Sequence, residues 1–270
     1  HDFGIVLSVQ FVGVRWGKKV MRMNATLVVN SKGGSGKTTI TTNLASYFAT
    51  QRIPTTVMDY DPQGSSLHWL RVRTRPEGRI YGANAAPQKG SRIRSVEMYV
   101  PADTQQLIVD APAGASGLLL QEMLNRADRI IIPVAPSAID IHATANFIRD
   151  LLLVGRIRTR NIQLSVVANR VRSSMPVYQP LERFLNSLGL PFLTRIGDSD
   201  VYVKAAEAGI GIFEMPPSAA AAECAEFMPI VEWVERQRDP VACGDGKVID
   251  LASRRWMERT PGLSSIGSRS

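Results

Sequence analysis

Short apolar runs alternate along this chain with longer segments in which apolar residues recur at helical spacing. The short runs have the length of buried strands, and the longer segments have the periodicity of helices that cover one apolar face. The strands are predicted within 25–30, 55–58, 107–110, 130–137 and 164–170. The helices are predicted at 38–49, 62–70, 116–125, 138–154, 177–188, 201–208 and 219–237.

This alternation predicts an α/β fold, with a predominantly parallel twisted sheet and helices on both of its faces. A chain of 270 residues has room for one or two domains. The sequence shows no repeat at the spacing of a solenoid, and no apolar run approaches the length that spans a bilayer.

A glycine-rich segment joins the first predicted strand to the first predicted helix. It reads Asn-Ser-Lys-Gly-Gly-Ser-Gly-Lys-Thr-Thr from Asn30 to Thr39. Such a turn directs backbone N–H groups inward and places a phosphate at the positive end of the helix dipole. Gly36, Lys37 and Thr38 match the core of the P-loop pattern, in which the lysine neutralises phosphates and the hydroxyl holds magnesium.

A second lysine, Lys32, precedes Lys37 by five positions. With it the loop resembles the deviant Walker A motif of the ParA/MinD ATPases, and four later segments resemble further motifs of that family in the same order. They are a first switch at 59–65, a Walker B aspartate and second switch at 110–114, a central strand and loop at 130–137 with Asp140, and an adenine-reading strand end at 164–170. The resemblance covers roughly 23–234.

The resemblance implies ATP and Mg²⁺ as cofactors, and it implies roles for individual residues. Lys32 would reach the nucleotide of a partner subunit, Lys37 would hold the phosphates, and Asp61 would orient the attacking water. Thr38 would bind magnesium directly, Asp110 through water, and Asp59 would support the metal. The residues implied to contact the nucleotide are Gly33, Gly34, Ser35, Gly36, Lys37, Thr38, Thr39 and Asn169. Aspartate and asparagine at strand ends also serve as simple loop caps, so that alternative stays open for Asp59, Asp110 and Asn169.

The two ends of the chain differ in composition from its centre. We expect 1–22 to be an N-terminal extension outside the fold, 23–238 to be the ATPase domain, and 239–270 to be a tail with a short helix at 248–257. The two cysteines and three histidines lie in no ligand-like spacing, which predicts neither a disulfide framework nor a metal site built from them. This cysteine usage suits a reducing cytoplasm.

The net charge of +8, from 32 basic and 24 acidic residues, favours polyanionic partners. Arg156, Arg158 and Arg160 alternate after a long predicted helix, and Arg195 follows further along; a second cluster of basic residues lies within 71–94. Arginines on such connections predict nonspecific binding of double-stranded DNA, and the alternative is an ordinary solvated surface. No helix-turn-helix segment precedes the P-loop, so sequence-specific operator binding is not predicted.

Together the motifs predict a ParA-like ATPase that forms a homodimer with ATP and binds the nucleoid in the cytoplasm. The resemblance implies a cargo adaptor, ParB-like or McdB-like, that stimulates hydrolysis so that the ATPase positions a plasmid, a chromosome or a protein organelle such as a carboxysome. One alternative is a MinD-like membrane-associated ATPase, with 248–257 as its anchor. Membrane binding is not the expectation, because Asp250 and Glu258 interrupt the basic side of that short helix. The other alternative is a metabolic enzyme on the same loop, such as a dethiobiotin-synthetase-like ligase.

Overall fold

Seven parallel strands form one sheet in the computed structural model, which describes residues 23–75, 78–87, 98–153, 157, 161–172, 186 and 190–236. The strands are β1 (Asn24–Val28), β2 (Thr55–Asp59), β3 (Ile80–Asn84), β4 (Gln106–Asp110), β5 (Arg129–Val134), β6 (Gln163–Val171) and β7 (Phe192–Gly197). Their order across the sheet is β3-β2-β4-β1-β5-β6-β7. The strand before the glycine-rich loop is therefore central.

Helices cover both faces of this sheet. They are α1 (Lys37–Thr50), α2 (Ser65–Val72), α3 (Gly117–Arg126), α4 (Ala138–Leu153), α5 (Asp200–Glu207) and α6 (Pro217–Glu235), with a 3₁₀ turn at Ile212–Glu214. One apolar core contains side chains of α3 and α4, and a second contains side chains of α1, α2, α5 and α6. The predicted fold class, a parallel α/β sheet between two helical layers, is confirmed.

The central strands are apolar along nearly their whole length because both of their faces are covered. All residues of β2, β4 and β5 are buried. This is the pattern that a parallel sheet between two layers of helices requires. The same pattern explains why these three strands could be predicted from short apolar runs.

The two edge strands were not predicted. β3 and β7 expose part of most of their residues, so neither forms the continuous apolar run that marks a buried strand. Arg195, which the sequence analysis counts among the arginines on connections, lies inside β7. Helix α2 begins at Ser65, later than predicted, because Gly64 at φ 61° closes a turn in which its N–H donates to the Asp61 carbonyl.

Several expectations fall outside the described residues. These are the extension at 1–22, the helices at 177–188 and 248–257, and the tail at 239–270; the domain boundaries stay predictions. None of the helices in the described part of the chain is long and apolar enough to cross a bilayer.

Candidate nucleotide-binding site

The glycine-rich loop lies between the end of β1 and the start of α1, at the carboxyl edge of the sheet, where parallel α/β folds bind ligands. Gly34 and Gly36 have φ of 73° and 91°, values that residues with a side chain rarely adopt. At Gly36 a methyl group would also lie 1.8 Å from Nδ2 of Asn169. Glycine is required there both by backbone conformation and by this contact with β6.

Asn30 holds the start of the loop in place, a role that the sequence analysis did not assign. Its buried Nδ2 donates to the Pro133 carbonyl at 2.7 Å and to the Thr144 hydroxyl at 3.1 Å. Its Oδ1 accepts from the Lys32 N–H at 3.2 Å and from the Ser31 hydroxyl at 3.3 Å. Asn30 thereby ties the loop to β5 and α4. An asparagine directly between a buried strand and a glycine turn was the only available signal.

The two lysines of the loop lie in different environments. Lys37 is 7 % exposed, and its Nζ donates to the Lys32 carbonyl at 3.1 Å. Burial lowers the pKa of Lys37, while the charges of Asp110 and Asp61 act in the opposite direction. The backbone of Lys32 is held by Asn30, Ser35 and Lys37, whereas its side chain is half-exposed. Only Lys37 is therefore enclosed by its own loop.

Asp110 and Thr38 form the part of the site that fits a magnesium ion. The Thr38 hydroxyl donates to Asp110 Oδ2 at 2.9 Å, although 72 positions separate the two residues. Asp110 Oδ1 is buried and has no hydrogen-bond partner among the described residues. This oxygen can therefore accept a hydrogen bond from a water molecule or bind a metal ion. Magnesium is commonly bound by one or two protein groups together with phosphate and water. Thr38 and Asp110 supply two such protein groups.

Asp59 and Asp61 lie beside this pair, because Asp59 is level with Asp110 on the neighbouring strand. Asp59 is fully buried, and it accepts hydrogen bonds from the Ser66 hydroxyl at 2.7 Å and from the Asp61 N–H at 2.9 Å. Burial raises the pKa of Asp59, and these hydrogen bonds partly offset the increase. Asp61 is half-exposed and accepts from the Gln63 N–H at 2.9 Å, so its carboxylate also shapes the turn.

The two predicted switch segments contact the loop and each other. The Gly114 N–H donates to the Ser31 carbonyl at 2.9 Å. Tyr60 donates its N–H to the Asp110 carbonyl and its hydroxyl to Glu122 on α3, at 2.9 and 3.0 Å. A rearrangement of one switch would therefore disturb the other.

This arrangement is matched by a family of nucleotide-binding proteins. The CobQ/CobB/MinD/ParA nucleotide binding domain matches residues 26–212. The chain belongs to this family. The predicted membership is thereby confirmed.

Two relatives of this chain are a carboxysome distribution protein and a ParA protein. The chain is 26% identical over 193 residues to the maintenance of carboxysome distribution protein A of Halothiobacillus neapolitanus, covering 70% of this chain and 86% of that protein. It is 29% identical over 118 residues to protein ParA of Rhizobium radiobacter, covering 44% of this chain and 51% of that protein.

Solved structures of other proteins share the fold of this chain. The McdA–ATP complex from Cyanothece superposes with a TM-score of 0.57 at 16% identity, covering 81% of this chain and 98% of that one. MinD from Aquifex aeolicus superposes with a TM-score of 0.59 at 17% identity, covering 81% and 99%. At this identity the likeness concerns the fold.

The structure brings most of the predicted ParA/MinD site residues together, but it gives Asn169 a contact that we had not predicted. Its buried Nδ2 donates to the Ser35 carbonyl at 2.8 Å, which supports the phosphate loop from β6. Its role as adenine reader stays a prediction. Of the predicted DNA-binding arginines, Arg156, Arg158 and Arg160 lie outside the described residues, and Arg195 is exposed on β7, at the far edge of the sheet from β3.

Asp110 should make the stability of the nucleotide-free protein depend on pH. Burial and the nearby charge of Asp59 raise the pKa of Asp110 to about 7. An acid whose pKa is raised on folding binds more protons in the folded state, so its contribution to stability falls as pH rises from about 4 to about 7. Three pKa units correspond to about 4 kcal/mol, so at pH 8 we expect the Tm of Asp110→Asn to exceed that of the wild type by roughly 10 °C, at about 2–4 °C per kcal/mol for a domain of this size.

The measurement is thermal unfolding of both proteins without nucleotide at pH 5 and pH 8. At pH 5 only about one of these three pH units has been crossed, so the difference between the two Tm values should be about a third of that at pH 8. An equal difference at both pH values would contradict the raised pKa.

Proposed function

We propose that this chain is a ParA-like ATPase that forms an ATP-dependent dimer, binds DNA nonspecifically and positions a cargo. The observation that carries the proposal is the hydrogen bond from Thr38 to Asp110, next to Lys37 in a loop that also contains Lys32. The similarity to a carboxysome distribution protein and to ParA supports a positioning role.

The residues of this chain would divide the work of phosphoryl transfer. Hydrolysis needs in-line attack by water and compensation of the charge that spreads over the phosphoryl oxygens. Lys37 and the loop N–H groups would bind the phosphates, while Thr38 and Asp110 would hold magnesium, which when bound neutralises phosphate charge. Asp61 would orient the water. Its half-exposed carboxylate stands close enough to act on the pKa values of both Lys37 and Asp110.

Two exposed apolar side chains support dimerisation across the carboxyl edge of the sheet, where the P-loop lies. Leu118 in the first turn of α3 is 85% exposed, and Ile139 in the first turn of α4 is 74% exposed. These helices follow β4 and β5, the strands on either side of β1, so both side chains begin at the edge that holds the P-loop. A second copy facing this edge would bury them and would place its Lys32 near the nucleotide.

Replacing Lys32 tests this dimer. We expect Lys32→Ala to keep nucleotide binding by the monomer but to lose the ATP dimer, because Lys37 remains while the contact across the interface is removed. The measurement is sizing by light scattering with ATP and with ADP, and binding of a fluorescent ATP analogue. Lys204→Ala, an exposed lysine on α5, is the matched control and should dimerise like the wild type. Undiminished dimerisation of Lys32→Ala would show that this lysine does not act in trans.

DNA binding is tested with duplex DNA of unrelated sequences and, in parallel, with anionic liposomes, each with ATP or ADP at two salt concentrations. We expect binding to DNA that requires ATP and weakens with salt. The slope of the logarithm of the DNA-binding constant against the logarithm of the salt concentration measures the number of phosphate contacts. Substituting Arg156, Arg158 and Arg160 together should lower the magnitude of this slope by about 1 per lost phosphate contact without changing ATP affinity. Arg52→Glu, an exposed turn residue, is the control.

The other outcomes discriminate between the alternatives. Liposome binding without DNA binding would favour a MinD-like membrane ATPase. Binding to neither would favour a metabolic enzyme. If the triple variant kept the salt dependence of the wild type, the DNA contacts would lie on another surface.

A further inference from the structure

A groove of about 920 Å³ runs beside the first switch on the side of the sheet that ends at β3. Its walls come from α2, from the segment after it, and from β3. Gly82 on β3 has no side chain, and Leu67 and Leu70 of α2 pack so closely over it that a methyl group there would lie 2.8 Å from Leu67. The packing of α2 on β3 thus forms the floor of the groove.

Three arginines line this groove without a carboxylate partner among the residues that the structure describes. Within the described part of the chain, Arg71, Arg75 and Arg79 form no ion pair, and all three side chains are exposed. Arg73 differs, because its guanidinium forms a buried two-point ion pair with Glu214 and its charge is already compensated. Asp61 is the one acidic residue among the described residues that line the groove. The described lining of the groove therefore carries excess positive charge.

The groove is also partly apolar, and it adjoins an unpaired strand. Leu67, Leu70 and Ile80 lie among its lining residues. β3 pairs with β2 on one side and has no neighbouring strand on the other among the described residues. An edge strand of this kind can accept an extended peptide by backbone hydrogen bonding, with side-chain pockets adding specificity.

We infer that this groove binds an extended acidic segment of a partner protein, laid along β3 with its carboxylates on Arg71, Arg75 and Arg79. Arginine recognises carboxylates through two parallel hydrogen bonds. The apolar floor favours a peptide over a nucleic acid backbone, because alternate apolar side chains can be buried there and phosphates cannot. Charge complementarity and the edge strand together fix the class of occupant.

One end of the groove is formed by the first switch, so binding there would affect ATP hydrolysis. Asp61 and Gly64 line the groove, and Asp61 is the residue proposed to orient the attacking water. An occupant would contact the first switch directly, which is where a partner would have to act to change the hydrolysis rate. This consequence rests on the proposed function; the binding itself does not.

Two labelled decapeptides of equal length test the binding, one alternating glutamate and valine and the other alternating lysine and valine. Fluorescence anisotropy with the full chain should show that the Glu–Val peptide binds and the Lys–Val peptide does not, with affinity falling as salt rises. Arg71→Glu/Arg79→Glu should weaken Glu–Val binding at least about tenfold, and the corresponding glutamine variant should weaken it less. Arg149→Glu, an exposed arginine on α4, should leave the affinity unchanged.

The outcomes separate this inference from the proposed function. Equal affinity for both peptides, or unchanged affinity in the double glutamate variant, would overturn the docking groove. A double variant that loses duplex DNA binding but not peptide binding would identify a nucleic acid surface instead and would also overturn it. The same variants should bind the fluorescent ATP analogue as tightly as the wild type does. If the wild type itself did not bind this analogue, the proposed ATPase function would fail, whereas the peptide-binding groove would not.

Discussion

Replacing Lys37 by alanine is expected to weaken ATP binding by roughly 100-fold, because removal of one partner from a buried charged hydrogen bond typically costs about 2–5 kcal/mol. Lys37 is enclosed by its loop, and burial already lowers the pKa of its ammonium group. A bound triphosphate would add negative charge and raise that pKa again, so the lysine and the nucleotide stabilise each other. The affinity is measured with a fluorescent ATP analogue.

Thermal unfolding without nucleotide shows whether the variant is folded. We expect Lys37→Ala to unfold cooperatively near the temperature of the wild type, because a lysine whose pKa is lowered on folding does not stabilise the fold at neutral pH. Lys204→Ala should bind ATP with unchanged affinity. An affinity of Lys37→Ala within a few-fold of the wild type would remove this lysine from the phosphate site.

Asp61→Ala is expected to slow ATP hydrolysis by at least about 100-fold, the effect typical of losing a group that directs a proton or a water. ATP affinity should change little, since Asp61 is assigned to the water and not to the phosphates. The ATP-bound dimer should accumulate because hydrolysis no longer dissolves it. Phosphate release and sizing with ATP measure the two effects.

The turn that Asp61 supports requires a second variant. Asp61→Asn keeps an oxygen that can accept from the Gln63 N–H but removes the carboxylate charge. If the charge orients the water, both substitutions should slow hydrolysis alike; if Asp61 only shapes the turn, Asp61→Asn should recover most of the activity. Asp103 is an exposed aspartate just before the start of β4, at the end of the strands opposite to the P-loop. Asp103→Ala should therefore behave like the wild type.

The local parts of the fold and site could be predicted because their signals are contiguous in sequence. β2 and β4 are short apolar runs that end in Asp59 and Asp110. The phosphate loop is recognised from residues that are consecutive in the sequence. Periodicity and glycine conformation act over a few residues, so one segment contains all the information. The same reasoning failed for β3 and β7, whose half-exposed residues give no such run.

The contacts that complete the site depend on distant segments. Asn30 reaches Pro133 and Thr144, Asn169 reaches the loop at Ser35, and Thr38 reaches Asp110. The order of the strands decides these pairings by placing β4 and β5 on either side of β1. Strand order is set by the packing of the two helical layers on the sheet, to which no single motif corresponds.

The basic cluster that begins in the last turn of α2 shows the same division. The sequence by itself determined that these arginines exist and that few acids accompany them. The tertiary structure alone decided that Glu214, from the 3₁₀ turn, compensates Arg73 and leaves the charges of Arg71, Arg75 and Arg79 facing one groove. The physical reason is that charge is a property of the residue, whereas compensation depends on which side chains the fold brings within a few ångströms.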